Sequence, residues 1–154
     1  MQIALVGLVF ALAPVVTLCG CAAPKHRPEE PIRILQGLHG PDLPRGIHIV
    51  REVGAWQAMW SALGRNQLPA QEAPTVDFQR ELIALVTLGE KPTGGFGVRV
   101  SGLRDDGDRW ILEAEEVEPA SGSMQVQMLT SPFDLVRLQR TSLPIEVEFT
   151  ATQP

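Results

Sequence analysis

Apolar positions fall into three patterns along this chain, and each predicts a different kind of element. The first is a charge-free apolar run over residues 3–16, interrupted by Pro14. The second is helical: Val53, Trp56, Trp60 and Leu63 recur at three- and four-residue spacing, Met59 widens the stripe, and Gly64 stands where a left-handed helix end is expected. Large aromatics on such a stripe pack into a core, so Trp56 and Trp60 read as core rather than as a stacking platform for a ligand.

The third pattern is that of strands. Residues 82–86, Leu-Ile-Ala-Leu-Val, are continuously apolar, the mark of a central strand covered on both faces. Phe96, Val98 and Val100 alternate with Gly97, Arg99 and Ser101, and after Asp105-Asp106-Gly107-Asp108 the set Trp110, Leu112 and Ala114 alternates again. That is a hairpin with one buried face. Met124, Val126 and Met128 alternate with Gln125 and Gln127, Pro132 interrupts, residues 133–140 continue, and Ile145, Val147 and Phe149 alternate with Glu146 and Glu148. Earlier in the chain, residues 32–36 and 46–51 read as two shorter strands, and a polar, Pro-rich connection over residues 66–75 leads from the helix to the sheet. The expected fold class is α+β: an antiparallel β-sheet of about six strands, curled into a sandwich or partial barrel and packed with one helix.

The apolar run leads into Thr17-Leu18-Cys19-Gly20-Cys21. A lipid-transferring enzyme needs an accessible thiol, and the peptidase that cuts before it needs small side chains. The stretch resembles the lipobox of bacterial lipoproteins, which implies a signal peptide over residues 1–20 and acyl chains, palmitate among them, on Cys21 as the first mature residue. The acyl chains would seat in the lipid bilayer, and Ala22 in the next place favours the outer membrane in a cell that has one. An uncleaved anchor, or a conventional signal peptide cut near residues 22–23, would export the domain equally. Residues 21–31 combine Pro24, Pro28 and Pro31 with Lys25, Arg27, Glu29 and Glu30, the composition of an extended tether. Residues 32–154 then have the length of one domain.

Charge and cysteine usage narrow the function. The formal net charge of −5 falls entirely after the leader, because Lys25 is the first charged residue. Nucleic acid and anionic membranes need a clustered basic face, so neither is an expected partner. Of the 2 cysteines, Cys19 leaves with the leader and Cys21 is consumed by lipid, which excludes disulfides, Cys-ligated zinc and a cysteine nucleophile. His39 and His48 have no ligand at metal-binding spacing. Ser101, Ser121, Ser123 and Ser131 lack nucleophile-elbow glycines, and there is no Tyr. His48 with Asp77 or Asp134 could complete a triad only on paper. No catalytic residue, metal or cofactor is expected. The carboxylates of Glu113, Glu115, Glu116 and Glu118 read as a solvated face.

Between two strands lies Gly89-Glu90-Lys91-Pro92-Thr93-Gly94-Gly95-Phe96. Paired glycines next to Pro92 make an ordered corner feeding the hairpin. The same glycines can expose backbone N–H groups beside Lys91 as an anion-binding concavity, which would suit a small anionic ligand or a cell-wall fragment at residues 93–95.

Asp77-Phe78, the apolar strand, residues 89–96, and Gln127-Met128-Leu129-Thr130-Ser131-Pro132-Phe133 with the apolar strand that follows stand in order. Together, residues 77–140 resemble the C-terminal domain of the PrcB family, accessory lipoproteins of a bacterial protease complex. The helix with Trp56 and Trp60 is similar to the segment that precedes this domain in related exported proteins. The resemblance implies a non-catalytic cell-envelope protein that associates with and stabilises an exported serine protease, and it brings no catalytic residues. The expected interaction surface is the loop with Lys91, Thr93, Gly94, Gly95 and Phe96 together with residues 121–132, which end in Ser131 and Pro132.

Overall fold

A computed structural model describes residues 28–64 and 72–152. Its organising element is strand β3 (Glu81–Thr87), whose number follows from the two strands that precede it. Leu82, Ala84 and Val86 point to one face and Ile83 and Leu85 to the other, and all five are fully buried. Successive side chains of a strand alternate between faces, so β3 needs a layer on each side. At about 1.5–3 kcal/mol for each large aliphatic side chain removed from water, this double burial is a main source of stability.

One side is the second layer of a sandwich. β3 lies in a four-stranded antiparallel sheet of order β1-β6-β3-β2, with β1 (Ile32–Gly37), β2 (Gly46–Val50) and β6 (Phe133–Gln139). A three-stranded sheet of order β4-β5-β7 packs on it, formed by β4 (Gly97–Asp105), β5 (Trp110–Val117) and β7 (Ile145–Thr152). Leu82, Ala84, Val86, Val136 and Leu138 meet Val98, Val100, Leu112 and Ala114 between them. On the other side helix α1 (Val53–Leu63) covers Ile83, Leu85 and Leu135 with Trp56, Leu63, Met59 and Trp60.

The α+β class and the hairpin hold. Asp105 pairs with Trp110, Gly107 turns with φ of 94°, and Asp105 Oδ1 accepts from the Gly107 amide at 2.7 Å. The sandwich arrangement is the one adopted, and the count of about six strands in one sheet is corrected to seven in two sheets among the described residues. The physical reason is β3 itself, since one sheet with one helix would leave one of its faces wet. The expectation of a wholly antiparallel arrangement also changes, because β7 pairs with β5 in parallel. β6 returns through the other sheet, and the chain then re-enters beside the start of β5, where Trp110 N–H donates to Pro144 O at 2.9 Å.

Residues 124–128, read as a strand, form none. Both sides of β5 are taken by β4 and β7, so the chain leaving Val117 cannot turn back beside β5 and crosses to the other sheet as loop. The helix runs where expected, but Gly64 closes it with φ of −80° rather than in the left-handed region, its N–H donating to Trp60 O. Val53 is exposed, whereas Trp56 is buried, donates its indole N–H to Pro74 O at 3.0 Å and lies 5.3 Å from the Trp60 ring.

The strand registers define two ends. Ile32, Glu81, Gln139, Trp110 and Ile145 share one end, the entry pole. Gly37, Thr87, Phe133, Gly97, Val117 and Thr152 share the other, the far pole. The lipidation site at Cys21 and most of the tether lie outside the described residues. Pro28, inside the tether reading, is already buried.

Candidate interaction surface

All the loops singled out in the sequence meet at the far pole. Lys91 and Thr130 exchange backbone hydrogen bonds of 2.7 and 3.0 Å, and the Thr130 hydroxyl donates to Thr93 O at 3.0 Å. Gly94 N–H donates to Val126 O at 2.9 Å. Ser131 N–H donates to Leu38 O at 2.7 Å, and Pro132 O accepts from both Leu88 N–H and the Thr87 hydroxyl at 3.1 Å. Lys91, Thr93, Gly94, Ser131 and Pro132 thus belong to one stitched unit.

The two glycines of the corner have different reasons. Gly95 has φ of +87°, and a Cβ there would stand 2.9 Å from Pro119 Cβ and nearer still to the Gln125 amide, so both backbone and space demand glycine. Gly94 would place a Cβ no closer than 3.7 Å from Val126 O, an ordinary contact. Its amide is spent on Val126. The donors an anion would use at this corner, the Gly94 N–H and the Lys91 ammonium, therefore already have protein acceptors.

The acceptor for Lys91 is Glu116, which corrects the reading of the acidic cluster as a solvated face. Glu116 follows Leu112 and Ala114 on the inward side of β5 and is buried. Arg45 Nη1 reaches its carboxylate at 2.6 Å and Lys91 Nζ at 3.2 Å. Arg45 also lies 4.0 Å above the Phe149 ring and Lys91 4.9 Å from that of Phe96, contacts that favour cations over an aromatic face. Burial alone would raise the Glu116 pKa, but hydrogen bonds from Arg45 and Lys91, with their charges, hold it below its ordinary 4.5. A carboxylate depressed in the folded state contributes stability above its unfolded value and loses it as pH falls through the folded one. Glu116→Gln should therefore be less stable than wild type near neutral pH, with the gap closing in acid below about 4.5. Urea midpoints measured across that range check this, and a gap that stays constant with pH would refute it.

His48 and Asp134, which a triad would pair, have other partners. His48 Nε2 contacts Pro44 O at 3.1 Å, while Asp134 is held by Arg33 and the Val100 amide. Among the described residues no three His, Cys, Asp or Glu side chains gather as a metal set. At the entry pole a hollow of about 510 Å³ is lined by Arg80, Arg137 and Arg140 and by Glu29, Glu30 and Glu81, charges that offset one another.

The feature that sequence reading did not foresee is how bare the far pole is. Met124 is 98% exposed, Val126 67% and Leu129 61%, with Met128, Leu38 and Val117 also open to solvent. The alternation of Met124, Val126 and Met128 with glutamines reads as a strand, and nothing in it shows that these side chains stay exposed.

No curated protein and no solved structure matches the chain. A family model described as PrcB C-terminal matches residues 82–139. The matched stretch runs from β3 through the hairpin and the far-pole loops to β6, and so includes both central strands and the stitched corner. Over this stretch, from β3 to β6, the chain is similar to the PrcB C-terminal family.

Proposed function

We infer that this chain is a non-catalytic cell-envelope lipoprotein, anchored through acylated Cys21, that binds and stabilises an exported serine protease through its far pole. The observation that carries the reading is the cluster of Met124, Val126, Met128 and Leu129, exposed at one end of the molecule. Unbranched, polarizable methionine adapts to a partner surface, and exposed apolar clusters mark interaction sites. The similarity to the PrcB C-terminal family supports an accessory role beside a protease. The far pole is also opposite Ile32, so an anchor at the N-terminal side would present it away from the bilayer.

The test is recovery of a complex from detergent-solubilised envelope with the full chain. Wild type should bring down an exported protein in constant proportion. Met124→Ser combined with Val126→Ser should weaken that association about tenfold or more. Both positions are on the surface, so stability should stay within about 0.5 kcal/mol for each change. Undiminished recovery by the double variant, or wild type recovered alone each time, would overturn the reading.

A further inference from the structure

The segment whose side chains alternate like those of a strand, though it pairs as none, also alternates in where its backbone groups are bonded. On one side it is stitched to the loop after β3, through the Thr130–Lys91 pair and the Gly94–Val126 bond. On the other side Ser131 is held by residues 38–40, its carbonyl accepting from Gly40 N–H at 2.8 Å in addition to the bond to Leu38. Pro41 has no N–H and ends that pairing. Beyond it, among the described residues, the backbone groups of Gln125, Gln127 and Leu129 make no hydrogen bond. These are alternate residues, the set that an extended strand presents along one edge. Met128 N–H donates to Val126 O at 3.0 Å, a three-residue turn centred on Gln127, and the negative φ there makes it the inverse γ-turn found at strand ends.

Proteins usually blunt such an edge with lysine, proline or inward charge. Here residues 119–133 carry no charge at all, in a chain of net −5. We propose that residues 123–129 add as a strand to an exposed, uncharged sheet edge of the exported partner. Main-chain bonds form at Gln125, Gln127 and Leu129, and Met124, Val126 and Leu129 fill apolar hollows beside that edge. A membrane is disfavoured as the occupant because the segment stands at the pole opposite Ile32. A second copy is disfavoured because two chains of net −5 repel.

The inference rests on the reading that this chain binds an exported protein, and one experiment separates the two. Hydrogen exchange is measured on the purified full chain, alone and in the complex recovered from the envelope. Protection of the Gln125, Gln127 and Leu129 amides in the complex is expected. Gln127→Pro removes one donor at an exposed position of negative φ, so the thermal midpoint should hold while association falls about tenfold or more. Gln127→Ala, which keeps the N–H, should bind as wild type. A complex that forms with these amides still exchanging, or that tolerates Gln127→Pro, overturns strand addition and leaves the function standing. Absence of any complex overturns both. Protection of the same amides by phosphatidylglycerol vesicles, or in a homodimer seen by light scattering, would assign the edge to lipid or to a second copy and overturn the proposal.

Discussion

Asp134→Ala should cost about 3–5 kcal/mol, the loss expected when one partner of a buried ion pair is removed and the other is left uncompensated. Asp134 is fully buried on β6. It accepts from Arg33 Nε at 2.9 Å and Nη2 at 2.7 Å, and from the Val100 amide at 2.7 Å. Arg33 in turn donates to Val100 O at 2.9 Å, and Gln36 to Val98 O at 2.7 Å. The carboxylate therefore ties β1, β6 and β4 together across the seam between the two sheets, where no strand ladder runs. Alanine would leave the Val100 amide N–H without its acceptor, at about 1–3 kcal/mol, and the Arg33 guanidinium, still bonded to Val100 O, without its carboxylate in a half-buried seam. Asn at the same position keeps an acceptor for Val100 and should lose less. For contrast, Arg104 and Glu148 are also only 2.9 Å apart, but both are exposed, and removing that pair should cost no more than about 1 kcal/mol. Urea midpoints at constant slope measure all three. A loss below about 1 kcal/mol for Asp134→Ala would mean that water reaches the seam.

Trp56→Ala should cost a similar about 3–5 kcal/mol, by a different route. Trp56 is the deepest side chain of the helix, packed with Ile83, Leu85 and Leu135 on the outer face of the first sheet. Truncation leaves a large cavity under a helix with no side-chain N-cap and no acidic residue in its first turn, so little local stabilisation offsets the loss. Trp56→Phe keeps most of the volume but loses the indole hydrogen bond to the exposed Pro74 O, at about 0.5–1.5 kcal/mol. Thermal unfolding of both variants separates the packing contribution from the hydrogen bond. Equal losses for Ala and Phe would show that the bond, not the ring, anchors the helix.

How much of this was legible in the sequence depends on whether a pattern is local. The continuous run at residues 82–86 required two covering layers, and the structure provides a helix on one side and a sheet on the other. Alternation in β4 and β5 with an Asp-Gly turn between them was enough to define the hairpin. The second sheet and the parallel β5–β7 pair depend on which edge a distant strand joins, and periodicity carries no such information. Arg33 did leave a trace as the single charge of its strand, and Asp134 as a charge set between Phe133 and Leu135. Their pairing across a sequence distance of 101 residues did not. At the far pole the stitched corner followed from Pro92 and the glycines, whereas the burial of Glu116 required knowing that Arg45 and Lys91 converge on it.

The antiparallel register of β1 on β6 has a mechanical consequence. Ile32 stands opposite Arg137 at the entry pole and Gly37 opposite Phe133 at the far pole. An anchor pulling on Ile32 and a partner pulling on the loop before Phe133 would load these two strands lengthwise in opposite directions. The ladder between them is then sheared, with all its bonds and the Arg33–Asp134 clasp bearing the force together, rather than unzipped one bond at a time. Such a link between a bilayer and a protein held above it would be stiff along the line of pull and weak across it.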